Sequence, residues 1–225
     1  MRPRVLVTRP AEDAAALSDA LRERGCEPVE LPLIGFEPSS DADVVASKVK
    51  ALDADGWIAV TSPRASATLA AAGGAYGRGL VQVGPALPNA AGVAEELIRR
   101  GATSVLWLCG DRVLPTLGDR LAGAGVEVVK LVVYRTVLLC PGEAEMDDAL
   151  LGLAAATFTS PSTVEALAAC AKTTWLEGAR ASLRCVALGA TTSSALSAEG
   201  FSRVVVAASP TNAALAAAAS ADLGL

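Results

Sequence analysis

Six short stretches carry hydroxyls, glycine or arginine, residue types that suit the binding of anions. They are Thr8-Arg9-Pro10, Thr61-Ser62-Pro63-Arg64, Cys109-Gly110-Asp111-Arg112, Thr159-Ser160-Pro161-Ser162, Gly189-Ala190-Thr191-Thr192 and Ser209-Pro210-Thr211. Each follows a short apolar run and precedes a helical pattern. A helix N-terminus presents unpaired N–H groups and a partial positive charge, roughly half an elementary charge. Such ends hold anions without a lysine or arginine, and Arg9, Arg64 and Arg112 add charge locally. Each turn taken singly also has a structural reading, because Ser and Thr before a helix are ordinary N-caps worth about 1 kcal/mol. Two of the stretches are near copies, "TSPRASATLAA" at 61–71 and "TSPSTVEALAA" at 159–169. A pair of such turns facing each other would grip a large, multiply anionic ligand from both sides.

The chain of 225 residues contains no histidine. That excludes Ser-His-Asp and Cys-His nucleophile systems and every His-ligated metal site. Acid–base chemistry is left to Asp, Glu, Tyr, Lys, Cys, water or the substrate. Tyr134, one of two tyrosines, lies in the extended segment "VVYRT", where a phenol can donate a hydrogen bond to a leaving group or serve as a packing ring. Neither G-x-G-x-x-G after a strand nor G-x-x-x-x-G-K-[ST] occurs, so neither a dinucleotide nor a nucleoside triphosphate is indicated. The five cysteines are widely spaced and odd in number, and they predict buried thiols, with neither a disulfide framework nor a zinc site. The net charge of −5, with no Lys/Arg run beyond two residues, argues against a nucleic-acid partner. Mean hydropathy is +0.43. Even so, no apolar run approaches the ~20 residues of a membrane span, and the N-terminal "MRPRVLVTRPAED" lacks a signal peptide's apolar stretch. A soluble, cytoplasmic protein with no membrane partner is expected, and a monomer by default.

The elements that position these turns are read from a repeat. "VLVTRPAEDAAALSDALRERGCEPVELPL" (5–33) lies over "VLWLCGDRVLPTLGDRLAGAGVEVVKLVV" (105–133) without a gap, and its matches include Gly25 with Gly125 and Leu17 with Leu117. The two "TSP" turns are 98 residues apart, and "LVQVGPA" (80–86) is echoed by "RCVALGA" (184–190). Short apolar runs alternate with segments that open on Pro and acids and close on Arg and Gly. This is the grammar of parallel α/β structure. Two extended, proline-flanked segments break the alternation at equivalent places and predict a crossing between lobes. The expected division is lobe one at 1–33 plus 140–225, lobe two inserted at 41–130, and hinge segments at 34–40 and 131–139. Two consecutive lobes cut near 103 are the alternative.

In order along the chain, "VLVTRP", "LPLIGFEP", "WIAVTSPRA", "VVYRT", "FTSPSTVEAL", "ALGATTSSAL" and "SPT" together resemble the uroporphyrinogen-III synthase family. The resemblance implies two flavodoxin-like lobes joined by a two-stranded linker, one lobe formed from both ends of the chain. It implies action on hydroxymethylbilane, a linear tetrapyrrole with eight carboxylates: loss of water, inversion of ring D through a spiro intermediate, and closure, without metal or cofactor. It assigns Tyr134 to assisting departure of the hydroxyl. Ser62, Ser160, Thr191 and Thr192 fall at positions that contact substrate carboxylates, largely through the backbone. Thr8, Arg9, Arg64, Gly110 and Ser162 complete the expected substrate-binding set. The other reading is a two-lobe protein that binds a tetrapyrrole or another polyanion without turnover. One departure from the family pattern is "PALPNAAGVAEELIRRG" (84–100), where Pro85 and Pro88 replace the start of a helix and predict that it is lost or shortened.

Overall fold

The computed structural model describes residues 2–40, 42–52, 56–73, 79–82, 89–221 and 223. The predicted loss of a helix at Pro85 and Pro88 falls on 83–88, outside the described residues. The chain forms two compact units, residues 1–35 with 137–225, and residues 36–136. In chain order, β1 (Arg4–Val7), α1 (Ala11–Glu23) and β2 (Glu27–Glu30) open the first unit. β3 (Ile34–Pro38) leads into the second, which continues with α2 (Ala42–Lys50), β4 (Trp57–Val60), α3 (Pro63–Ala71), β5 (Leu80–Gln82), α4 (Ala90–Arg99), β6 (Ser104–Gly110) and α5 (Thr116–Gly123). β7 (Glu127–Leu138) leads back. The first unit is completed by α6 (Glu143–Leu150), β8 (Leu153–Phe158), α7 (Pro161–Cys170), α8 (Thr173–Ser182), β9 (Arg184–Ala187), α9 (Ala190–Ala198), β10 (Val204–Val206) and α10 (Asn212–Ser220).

Local chemistry accounts for these elements. α1 starts behind Pro10, carries Glu12 and Asp13 in its first turn and Arg22 in its last, and buries Ala14, Leu17, Ser18 and Leu21 along one stripe. Each fully buried leucine contributes roughly 1.5–3 kcal/mol. α1 and α5 both stop at the glycines the repeat aligned, Gly25 at φ 77° and Gly125 at φ 76°, a left-handed conformation that side chains with a Cβ disfavour. The inner strands β1, β8 and β9 are short and largely apolar because both of their faces are covered. Val5, Leu6 and Val7 have no exposed surface.

The first sheet is parallel, in the order β10-β9-β8-β1-β2. Counted along its own unit this is 2-1-3-4-5, the flavodoxin-like order. The second sheet runs β3-β7-β6-β4-β5. Its last four strands pair in parallel. The edge strand β3 runs against β7, since Ser39 N–H bonds the Val133 carbonyl and Leu139 N–H bonds that of Leu33. The second sheet is therefore mixed, and its antiparallel pair is made by the two extended segments that the sequence set apart from the alternating strands and helices.

The repeat offsets carry one ladder onto the other. β1 pairs with β8 as Val5↔Ala155 and Leu6↔Ala156. β6 pairs with β4 as Val105↔Trp57 and Leu106↔Ile58. An offset of 100 takes Val5 to Val105, and one of 98 takes Trp57 to Ala155, so the registers coincide. Arg4↔Glu27 and Ser104↔Glu127 coincide under the same offset of 100. Each sheet thus joins the opening strands of one repeat to the later strands of the other.

The cysteine expectation needs correction. Cys140, just beyond β7, is disulfide-bonded to Cys170 at the end of α7, with Cα atoms 5.5 Å apart and a separation of 30 positions in sequence. Cys26, Cys109 and Cys185 are buried free thiols. Burial pushes Cys109 up to about 11 and Cys185 up to about 12. The folded protein holds these protons more tightly than the unfolded chain does. Their contribution to stability is therefore intact below the ordinary thiol value of 9.0 and is lost as pH rises towards 11–12. A thiol-reactive chromogen at pH 8 should count no thiols in the native protein, three after unfolding without reductant and all five after reduction. Five without reductant would show that the pair is not bonded.

Candidate active site at the topological switch points

In the first unit α1 and α10 pack on one face of the sheet, and α7 and α9 on the other. The helices leaving β1 and β8 therefore depart on opposite faces, and the neighbouring carboxyl ends of these strands enclose a crevice. Thr8 and Arg9 follow β1 there, and Thr159 and Ser160 follow β8. The Thr8 hydroxyl is fully buried and donates to the Thr157 carbonyl at 2.9 Å, while the Thr157 hydroxyl donates to that of Leu6 at 2.8 Å. Thr8 thus bolts the two strands together, and its side chain is committed to the sheet. Arg9 donates to Asn212 Oδ1 at 2.5 Å, placing its charge beside the first turn of α10.

Ser160 is the residue whose surroundings are unusual. It is the N-cap of α7, yet it makes no side-chain cap bond, and its Oγ is buried without a partner. Its counterpart Ser62 caps α3 conventionally, accepting the Ala65 N–H at 3.2 Å. A buried hydroxyl left unsatisfied costs free energy unless a ligand completes it. Ser162 lies half-buried in the first turn of α7. Thr191 and Thr192 lie one strand further out, in the first turn of α9, Thr191 exposed and Thr192 buried.

The second unit has the same construction. α4 and α5 pack on one face, α2 and α3 on the other, so its crevice opens between β6 and β4. Ser62 and Arg64 follow β4, and Gly110 ends β6. Trp107 donates its indole N–H to the Thr61 hydroxyl at 3.2 Å. The ladder between β6 and β7 slips here: Cys109 faces Val132, but Gly110 faces Tyr134, leaving Val133 as a bulge. The slip breaks the alternation of β7, so Tyr134 joins Leu131 and Val133 against the α2/α3 core instead of taking the opposite face. The Tyr134 phenol then lies over Gly110, where an added Cβ would come within 2.6–2.8 Å of its Cζ, Cε2 and hydroxyl. Beyond the slip, Asp111 N–H bonds the Tyr134 carbonyl, and Asp111 Oδ1 accepts the Thr136 N–H at 3.0 Å.

The structure therefore brings Thr8, Arg9, Ser160 and Ser162 to one switch point and Ser62, Arg64, Gly110 and Tyr134 to the other. Thr191 and Thr192 stand beside the first. A cavity of about 330 Å³ lies between α6, the end of α7 and the start of α8, lined by Pro141, Met146, Cys170 and Trp175 among others. Its lysine, Lys172, is paired with Glu143 and Asp147 at 2.8 and 2.7 Å, so the cavity does not suit a polyanion.

Sequence reasoning passed over Phe36, whose ring meets Tyr134 edge-on with centroids 5.5 Å apart. It also missed the bulge, for which a one-dimensional pattern carries no signal.

The sequence model of the family described as uroporphyrinogen-III synthase HemD matches residues 15–80 and 75–217. The chain belongs to the uroporphyrinogen-III synthase family. It is an enzyme of tetrapyrrole biosynthesis that cyclises hydroxymethylbilane. Two solved structures share the fold of this synthase. A mutant uroporphyrinogen III synthase from the extremely thermophilic bacterium Thermus thermophilus is 20% identical, with a TM-score of 0.60 over 95% of each chain. Uroporphyrinogen-III synthetase from Helicobacter pylori is 18% identical, with a TM-score of 0.62 over 96% of each chain. No curated protein sequence matches the synthase significantly. Among its described residues, no helix is long and apolar enough to cross a membrane.

The two serines separate structure from binding. Ser62→Ala should lower stability by about 1 kcal/mol, the ordinary worth of an N-cap. Ser160→Ala removes no bond and should leave the melting temperature within about 1 °C or raise it, while weakening substrate binding. A destabilised Ser160→Ala protein in thermal denaturation would show that the hydroxyl has a structural partner.

Proposed function

We propose that this synthase closes hydroxymethylbilane to uroporphyrinogen III with loss of water and inversion of ring D, and that Tyr134 is its catalytic residue. The observation that carries the reading is the Tyr134 phenol seated on Gly110 at the switch point of the second unit, beside the turn that holds Ser62 and Arg64. Departure of the hydroxyl from the hydroxymethyl carbon needs a proton or a hydrogen bond at the leaving oxygen, and a phenol supplies either. The remaining task is orientation. The linear tetrapyrrole closes to the other isomer unaided, so the protein must hold its end ring in the attack that inverts it.

Both switch points serve this task by taking substrate carboxylates. The helix N-termini after Ser62, Ser160 and Gly189 offer backbone N–H groups, and Arg9 and Arg64 add positive charge. Oriented dipoles of this kind let a chain of net charge −5 accept a polyanion. Thr8 contributes its backbone only, its hydroxyl being used within the sheet. The synthase is proposed to work as a monomer in the cytoplasm without a metal or organic cofactor, and light scattering of the purified protein tests the first of these.

The deciding assay generates hydroxymethylbilane in situ, oxidises the products and separates isomers III and I. Isomer III should dominate. Tyr134→Phe should lower kcat about 100-fold with KM within about twofold, since an acid acts in the transition state and not in binding. Isomer I alone, formed at the uncatalysed rate, would leave a tetrapyrrole-binding protein without turnover.

A further inference from the structure

Phe36 lies on the edge strand β3 and is partly exposed. The ring makes two contacts of specific geometry. Tyr134 meets it at an interplanar angle of 82°, centroid to centroid 5.5 Å. The Arg64 guanidinium carbon stands 3.7 Å from its centroid. Edge-to-face aromatic contact and a cation over a ring face are both directional. Neither consumes the hydrogen-bonding capacity of the group it holds. A phenol held by its ring keeps its hydroxyl.

The Tyr134 ring also lies against Gly110, whose missing side chain makes room for the phenol. The bulge at Val133 brings the tyrosine to this face. β3, β6, β7 and α3 thus converge on one phenol and one cation, with Phe36 as the part common to both.

We propose that Phe36 is a positioning residue for the reaction: its ring holds the Tyr134 phenol and the Arg64 guanidinium as one pre-set pair, proton donor beside anion-binding cation. The inference rests on the reading in which Tyr134 assists departure of the hydroxyl. Orientation of a reacting group is worth much at small displacements, since a shift of about 1 Å can cost roughly 100-fold. Phe36 touches no reacting atom and acts through the two residues it holds.

The test uses the full chain labelled with 3-fluorotyrosine. The only other tyrosine is Tyr76, so Tyr76→Phe leaves one fluorine signal, from Tyr134. In that background Phe36→Leu retains apolar bulk and removes the ring. The fluorine signal should move at least halfway to the position of free fluorotyrosine. In the unlabelled enzyme the same change should lower kcat about tenfold, with a smaller rise in KM as Arg64 loses its seat, and raise the proportion of isomer I. Phe36→Trp should recover kcat to within about threefold of wild type. In the Tyr134→Phe background Phe36→Leu should cost less than about twofold more.

If Phe36→Leu does not fold, Phe36→Met gives the same readouts with a more adaptable side chain. The proposal is overturned if the fluorine signal or kcat stays at its wild-type value, or if the losses from Phe36→Leu and Tyr134→Phe multiply in full. A wild-type protein that yields no isomer III overturns instead the reading on which the proposal rests.

Discussion

Two neighbouring parallel strands whose outgoing helices leave on opposite faces cannot close over their own carboxyl ends, and this synthase builds such a pair twice. β1 with β8 and β6 with β4 are the central pairs of their sheets, held in the same register. Everything proposed for the site follows from them. The pairs decide where helix N-termini gather, which turns lie side by side, and where the sheet edge stays open to a ligand. The Thr8–Thr157 and Thr157–Leu6 bonds in one unit and the Trp107–Thr61 bond in the other brace the strand ends that flank the opening.

The electrostatics follow from the same geometry. A chain with 24 acidic residues against 19 basic ones is an unpromising host for a polyanion if net charge is the criterion. The relevant field is local. At a helix N-terminus the positive end of the dipole lies within hydrogen-bond reach, whereas most of the acidic side chains are solvated and screened. The absence of histidine points the same way. On the proposed reading the site holds and orients its substrate, with one phenol beside the leaving group, and the reaction's own tendency to close a ring supplies the rest.

The core behind the switch points is made of many small residues. Ala155, Ala156 and Ala187 on the strands and Ala216 and Ala219 on α10 are buried, which lets helices seat closely on the sheet and leaves few aromatic rings in the chain. Against that background a half-exposed phenylalanine on an edge strand, a tyrosine turned by a bulge and a glycine kept bare beneath it stand out. They depart from local regularity at the place where chemistry is proposed, as expected when function overrides packing.

The sequence by itself determined what depends on short-range chemistry. The alternation of strand and helix, the ends of α1 and α5 at Gly25 and Gly125, and the hydroxyl-bearing helix starts were legible because caps, turns and burial stripes involve residues within one helical turn of each other. The gapless repeat extended that reach to the fold class and, with the ordered motifs, to the family. The tertiary structure alone decided what depends on neighbours distant in the chain. Strand order chose which turns lie at a switch point. A one-residue slip between β6 and β7 chose the face that Tyr134 takes, and with it Phe36 and Arg64 as its company. Cys140 met Cys170 across 30 positions that no spacing rule connects. Ser160 and Ser62, each the serine of a Thr-Ser-Pro turn, differ in whether the hydroxyl caps its helix. The physical reason is common to all four. Register, pairing and hydrogen-bond satisfaction are settled by contacts between elements, and residue type at one position does not encode them.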